Sequence, residues 1–315
     1  MTPDMTRLVS ISIGFLLLLS PVLAPPGHAQ TPQQRQWCDG QVSPDQQISG
    51  CTAIIESASD EPSMLATAFN NRASAYFSQG LIEQGIRDLD QAVKLNPNYA
   101  HAFVHRGMAY RSMGQYDRAI QDFDQAIKLE PNYTHAFAER GSAYSHQGQH
   151  QRAIQDFDQA IKLEPNYTHA FVERGSVYSH QGQHQRAIQD FDQAIRLDPA
   201  SGSALNDRCL SRATLGQLQE ALADCNNALW LRRGQGRAIT LNVRGIVYLK
   251  MNQFESAIAD FDEALTRAPN NPSSLYGRGL AKIKKGDEAG GNADIKAARA
   301  IKADIADQLA RYEVR

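Results

Sequence analysis

RAIQDFDQAIKLEPNYTHAF runs from Arg118 to Phe137 and recurs, letter for letter, from Arg152 to Phe171. The copies lie one 34-residue step apart, and Pro97, Pro131, Pro165 and Pro199 keep the same step. A fixed period of this length predicts a stack of one small structural element, not a single globular core. Stacks of this kind work through their surfaces, which turns the functional question away from catalysis.

Counted back from the prolines, repeats begin at Ala66, Ala100, Thr134, Thr168 and Gly202. They resume at Ala238 and Pro272 after a two-residue insertion around Gly234–Gly236. That gives seven repeats over 66–305: 66–99, 100–133, 134–167, 168–201, 202–235, 238–271 and 272–305. Each reads as two amphipathic helices. In the third, Phe137, Gly141 and Tyr144 share one face of the first helix, and Ala153, Phe157 and Ala160 line the second. Gly148 separates the two helices, where positive φ is allowed, and Pro165 closes the pair.

The pattern resembles the tetratricopeptide repeat family over about three quarters of the chain. The second repeat supplies Phe103, Gly107, Tyr110, Ala119, Phe123, Ala126 and Pro131. The sixth supplies Leu241, Gly245, Tyr248, Ala257, Phe261, Ala264 and Pro269. The fifth and seventh depart from it, with Arg212 and Arg233 in one and Lys282, Gly291 and Ala303 in the other. The resemblance implies an all-α fold, an α-solenoid whose stacked helix hairpins wind into a right-handed superhelix.

Two charged series keep the period. Arg stands seventh in every repeat, from Arg72 to Arg278, and Asp stands twenty-third, from Asp88 to Asp294. Equal numbers of each predict a ladder of Arg–Asp pairs clamping neighbouring helices, not a basic stripe for anionic ligands. The ends of a stack need polar caps. Segment 30–65, with Ile48, Ile54 and Ile55 in a lone helix over 44–58, is expected to cover the first repeat. A C-terminal capping helix over 304–315, capped by Asp304 and presenting Ile305, Leu309 and Tyr312, is expected to seal the last.

Ahead of the repeats, Arg7 precedes a mostly apolar stretch from Leu8 to Leu19, then Pro21 and Gly27-His28-Ala29 before Gln30. That order reads as a signal peptide over 1–29, cleaved after Ala29, and implies a periplasmic or secreted protein. An uncleaved membrane anchor is the alternative. Export permits disulfides. Cys38 with Cys51 and Cys209 with Cys225 are the local pairings expected, unless the second two are only small core residues.

Charges are interspersed, with 32 Lys and Arg against 34 Asp and Glu. No nucleic-acid footprint and no second membrane-crossing stretch is visible. Neither G-x-S-x-G, H-E-x-x-H nor a phosphate-binding loop occurs, so no catalysis and no cofactor is expected. The family resemblance implies that first helices line a partner-binding groove. Here that places Asn70, Asn71, His101, His105, His135, Glu139, His169, Glu173, Asn206, Asp207, Asn242 and Tyr276 in it. The family's clamp for C-terminal carboxylates is missing its fifth-place Lys, and a polar or basic peptide fits the His-rich, mildly acidic centre better.

His101/His105, His135/Glu139 and His169/Glu173 are each spaced i, i+4, which can chelate Zn²⁺ or Cu²⁺. Each pair offers only two ligands, so a metal-binding protein is the alternative reading, beside a membrane-tethered assembly factor. Imidazole charging is expected to alter groove binding below about pH 6.5. The leading expectation is an exported scaffold that binds a protein or peptide partner.

Overall fold

A computed structural model describes residues 31–57 and 61–310. The expected signal peptide and Tyr312 lie outside them. Two helices come first, α1 (Pro32–Asp39) and α2 (Pro44–Ser57). Helix pairs follow: α3 (Pro62–Ser78) with α4 (Ile82–Leu95), α5 (Ala100–Ser112) with α6 (Tyr116–Leu129), and α7 (Thr134–His146) with α8 (His150–Leu163). Next come α9 (Thr168–His180) with α10 (His184–Leu197), α11 (Gly202–Thr214) with α12 (Leu218–Leu231), α13 (Gly234–Lys250) with α14 (Phe254–Arg267), and α15 (Pro272–Lys285) with α16 (Glu288–Ile301). The short α17 (Ile305–Ala310) ends the described chain. The chain divides into two compact parts, Met1–Gln91 and Ala92–Arg315, the division falling inside α4.

The α7–α8 pair shows why this sequence makes hairpins. Gly148 adopts φ 74° and so turns the chain between the helices without a Cβ penalty. In the sixth pair Asn252 takes the same left-handed place at φ 59°. Ala153, Phe157 and Ala160 are fully buried, and Phe157 contributes about 1.5–3 kcal/mol of apolar burial. Its ring packs against Gly141, where an added Cβ would stand 2.9 Å from a ring carbon. The helices can approach that closely only because the facing residue is small.

The arginine that recurs with the period joins the same two helices. Arg174 Nε and Nη2 donate to Asp190 Oδ2 and Oδ1 at 2.9 and 2.6 Å, joining α9 to α10. Its third nitrogen, Nη1, donates to Asp158 on α8, in the preceding hairpin. Arg140, Arg208 and Arg278 repeat the arrangement with Asp156 and Asp124, Asp224 and Asp192, and Asp294 and Asp262. Phe137 and Phe171 lie under the guanidinium carbons of Arg140 and Arg174 at 5.5 and 5.7 Å. Burial pushes the carboxyls of Asp156 and Asp190 up in pKa, against the pull of their arginines. Asp294 is also desolvated, but hydrogen bonds from Arg278 and Lys282 together hold it below the usual carboxylate range.

The fifth hairpin keeps the stack by a different route. Cys209 and Cys225 stand where the second, third, fourth and sixth hairpins set Gly against Phe, and they form a disulfide. Arg212 replaces the aromatic residue and donates to Asp224 at 2.8 Å, as Lys282 does to Asp294 in the seventh. The residues around Gly234–Gly236 are absorbed into α13, which they lengthen to 17 residues.

Within the first part, the lone capping helix expected over 44–58 is instead a pair. Pro32 starts α1 behind a Thr31–Gln34 capping box, and the Cys38–Cys51 disulfide ties α1 to α2. The tie buries both cysteines against Ile54 and Ala68. At the far end Ile305 and Leu309 of α17 join the cluster around Phe261, Leu265 and Ala298.

Replacing Asp190, which is 8% exposed, with Ala leaves half-buried Arg174 only the exposed Asp158 as counter-charge and is expected to cost about 1.5–3 kcal/mol. Asp158→Ala, at a carboxylate 53% exposed, is expected to cost no more than about 1 kcal/mol. Urea unfolding followed by circular dichroism separates the two; equal losses would remove the distinction between hairpin clamp and stacking tie.

Candidate partner-binding face

First helices present the expected site residues in three different states. In the first compact part, Asn71 Nδ2 donates to Cys38 O and to Asp39 Oδ1, both at 3.3 Å, and buried Asn70 donates to Asn71. These two asparagines hold the capping helices. They are structural residues of that part.

The second part carries the rest. Glu139 is 4% exposed and pairs with Arg111 Nη2 at 2.9 Å, so its charge is spent inside the stack. Asn206 is buried and donates to Asp207 Oδ1 at 2.9 Å, while its own Oδ1 has no hydrogen-bond partner. Asn242 Oδ1 accepts from Ser274 at 2.9 Å. His101 and His169 are exposed, and His105, His135, Glu173, Asp207 and Tyr276 are partly so.

Tyrosines interleave with the histidines along this face. The His101 ring lies 4.9 Å from the Tyr133 ring, and His169 meets Tyr167 edge-on at 6.0 Å. His135 Nδ1 pairs with the Tyr167 hydroxyl at 2.9 Å, while its Nε2 lies 3.9 Å from Glu139. Burial pushes the Tyr133 and Tyr167 hydroxyls up to about 12, which keeps them neutral hydrogen-bonding groups. These tyrosines were absent from the sequence-based site, although each ends its repeat immediately before the histidine helix.

Burial, then His101 and His135, lower His105 to about 4. His135 is also lowered, chiefly by burial, against the opposing pull of Glu139. Burial thus disfavours the imidazolium at these two positions and moves their charging below the expected pH of about 6.5. Among the described residues, no three or more His, Cys, Asp or Glu side chains are placed to hold a metal ion.

Between α9 and α11 a cavity of about 120 Å³ is lined by Ser176, Ser179, His180, Phe191, Asp207 and Leu210. Asp207 is half-buried. Its Oδ1 accepts from Asn206, and the Ser176 hydroxyl reaches Oδ2 at 3.4 Å. Desolvation raises its carboxyl pKa, and neighbouring Glu173 adds to the rise.

Paired helices of one repeating length, stacked in register by shared ion pairs, define a helical-hairpin repeat protein. The tetratricopeptide repeat profile matches 66–99, 100–133, 136–167, 170–201 and 238–271, more than half of the sequence. The chain belongs to the tetratricopeptide repeat family. Both departing hairpins, 202–235 and 272–305, fall outside those matches.

Solved structures share the fold. The APC/C hetero-tetramer Cut9–Hcn1 aligns with a TM-score of 0.68 and 17% identity, covering 85% of this chain and 52% of that one. The present chain thus spans about half that chain's length. A tetratricopeptide repeat protein from Parabacteroides merdae aligns at 0.62 and 19% identity, covering 79% and 99%. Pseudomonas aeruginosa pilF aligns at 0.60 and 15%, covering 68% and 97%. No curated protein sequence matches the chain.

Because His105 is held near 4, an unfolded chain binds more protons than the folded one between that value and the ordinary 6.5. The contribution of neutral burial is complete above about pH 6.5 and is lost as pH falls towards 4, by roughly 2–4 kcal/mol. His105→Leu is expected to flatten the acid limb of a urea-midpoint profile; an unchanged limb would show that His105 is not its source.

Proposed function

We propose that this protein is an exported scaffold that binds a protein partner on its first-helix face and carries out no reaction of its own. The observation that carries the reading is the division of labour among its polar groups. The arginine–aspartate ladder is consumed by stacking, whereas His101, His169, Glu173 and Tyr276 remain accessible on the first helices α5, α9 and α15. A repeat family known for partner binding supports it.

Export is supported by two disulfides, which persist in oxidising compartments, together with the apolar leader read from the sequence. No described helix is long and apolar enough to cross a membrane. Among the polar candidates, His101, His105, His135, His169, Glu173, Asp207 and Tyr276 are proposed to meet the partner. Glu139, Asn206 and Asn242 support the framework behind it, and Asn70 and Asn71 serve the first part.

Capture from an extracytoplasmic extract should be at least about tenfold weaker when His101, His169, Glu173 and Tyr276 are all changed to Ala, given hot-spot losses of ~1–2 kcal/mol per contact. Equal recovery by both proteins would remove this face from the account. Mass analysis of the exported chain should find Gln30 at the amino terminus; retention of the leader would favour the tethered form.

A further inference from the structure

We propose that the α9–α11 cavity receives a lysine side chain of the protein partner, its ammonium held by Asp207 with Ser176 and Ser179 and its stem laid against Phe191 and Leu210. The inference rests on the first-helix face being the partner surface and adds the chemistry of one anchoring contact.

The cavity selects by charge first. Asp207 has no lysine or arginine within ion-pair distance among the described residues; Arg232 acts on it only from farther away. Glu173 adds to the negative potential, and Arg232 offsets it without forming an ion pair. An anionic group would be repelled, and a neutral one would leave a half-buried carboxylate without a paired counter-charge.

The acceptor geometry then separates the cations. A guanidinium fork wants a free lone pair on both oxygens in one plane, and each already accepts one bond, from Asn206 on Asp207 Oδ1 and from Ser176 on Oδ2. A compact ammonium has three donors radiating from one point. Asp207 Oδ2 and the rotatable hydroxyls of Ser176 and Ser179 offer it three acceptors from two helices. A metal ion would need more strong ligands than one carboxylate and two hydroxyls.

Size and lining complete the case. The volume is several times what one water needs, so water alone is a poor fit to a wall made partly of Phe191 and Leu210. A four-carbon stem ending in a charge matches an apolar wall ending in a carboxylate. The cavity also opens at the ninth and twelfth places of α9 and the sixth and ninth of α11, on the face assigned to the partner.

The test uses the full chain and amide-resolved NMR titration with Nα-acetyl-lysine N-methylamide. Shifts are expected at residues 176–180 and 207–210. Asp207→Asn and Ser176→Val, each checked for an unchanged melting profile, are both expected to weaken binding by about tenfold or more. Two variants are used so that misfolding of one leaves the other decisive. No shift, equal binding of the Nε-acetylated compound, or undiminished binding by a folded variant would overturn the proposal. Binding of n-butylammonium without the lysine amide would also overturn it, marking a free-amine site. Loss of the cavity result with partner capture still sensitive to the face variants removes only the cavity. Ammonium binding with capture insensitive to those variants removes the partner face and, with it, the lysine assignment.

Discussion

The structure of the second part depends on one arginine having three useful nitrogens. Two of them close a hairpin by gripping a buried carboxylate, as in Arg174 with Asp190. The remaining one reaches back to the hairpin before, at Asp158. A lysine could satisfy one of these tasks but not both in fixed geometry. Because the guanidinium also covers an aromatic ring, its planarity is used on its face as well as its edge. Folding within a hairpin and stacking between hairpins are therefore coupled through single side chains.

The departures show which constraint is rigid and which is negotiable. Arg–Asp pairing survives in the fifth and seventh hairpins, although the residues packed beside it change. Cys209–Cys225 replaces Gly against Phe, exchanging a shape match for a covalent bond between the same two helices. Losing the aromatic neighbour would leave Asp224 and Asp294 less shielded. In both cases a second cation, Arg212 or Lys282, occupies that place and bonds the carboxylate.

Periodicity made the hairpins, their turns and the Arg–Asp series legible, because each relation lies within a single repeat. The stacking tie was harder to see. Asp124, Asp158, Asp192 and Asp262 follow two residues after the clamp aspartates, but their role depends on the arginine of the next repeat. The N-terminal helix pair was missed for a related reason: α1 is short and polar, and gains its burial from α2 and α3 through one disulfide. Exposure at the candidate face was least legible. Position within a repeat says which way a side chain points, while its neighbours decide whether it remains available.

Glu139 and Glu173 make that last point sharply. They occupy the same place in nearly identical repeats, each four residues after a histidine. The twelfth residue of the preceding repeat is Arg111 for one and Ser145 for the other. Arg111 binds Glu139 and buries it, whereas Glu173 gains no such cation and instead lies near Asp207, the acidic residue one repeat further on. Duplication copied the local sequence but not its surroundings, so negative potential collects at α9 and α11. The repeats can thus remain alike in construction while the α9–α11 junction sets a cavity beside Asp207.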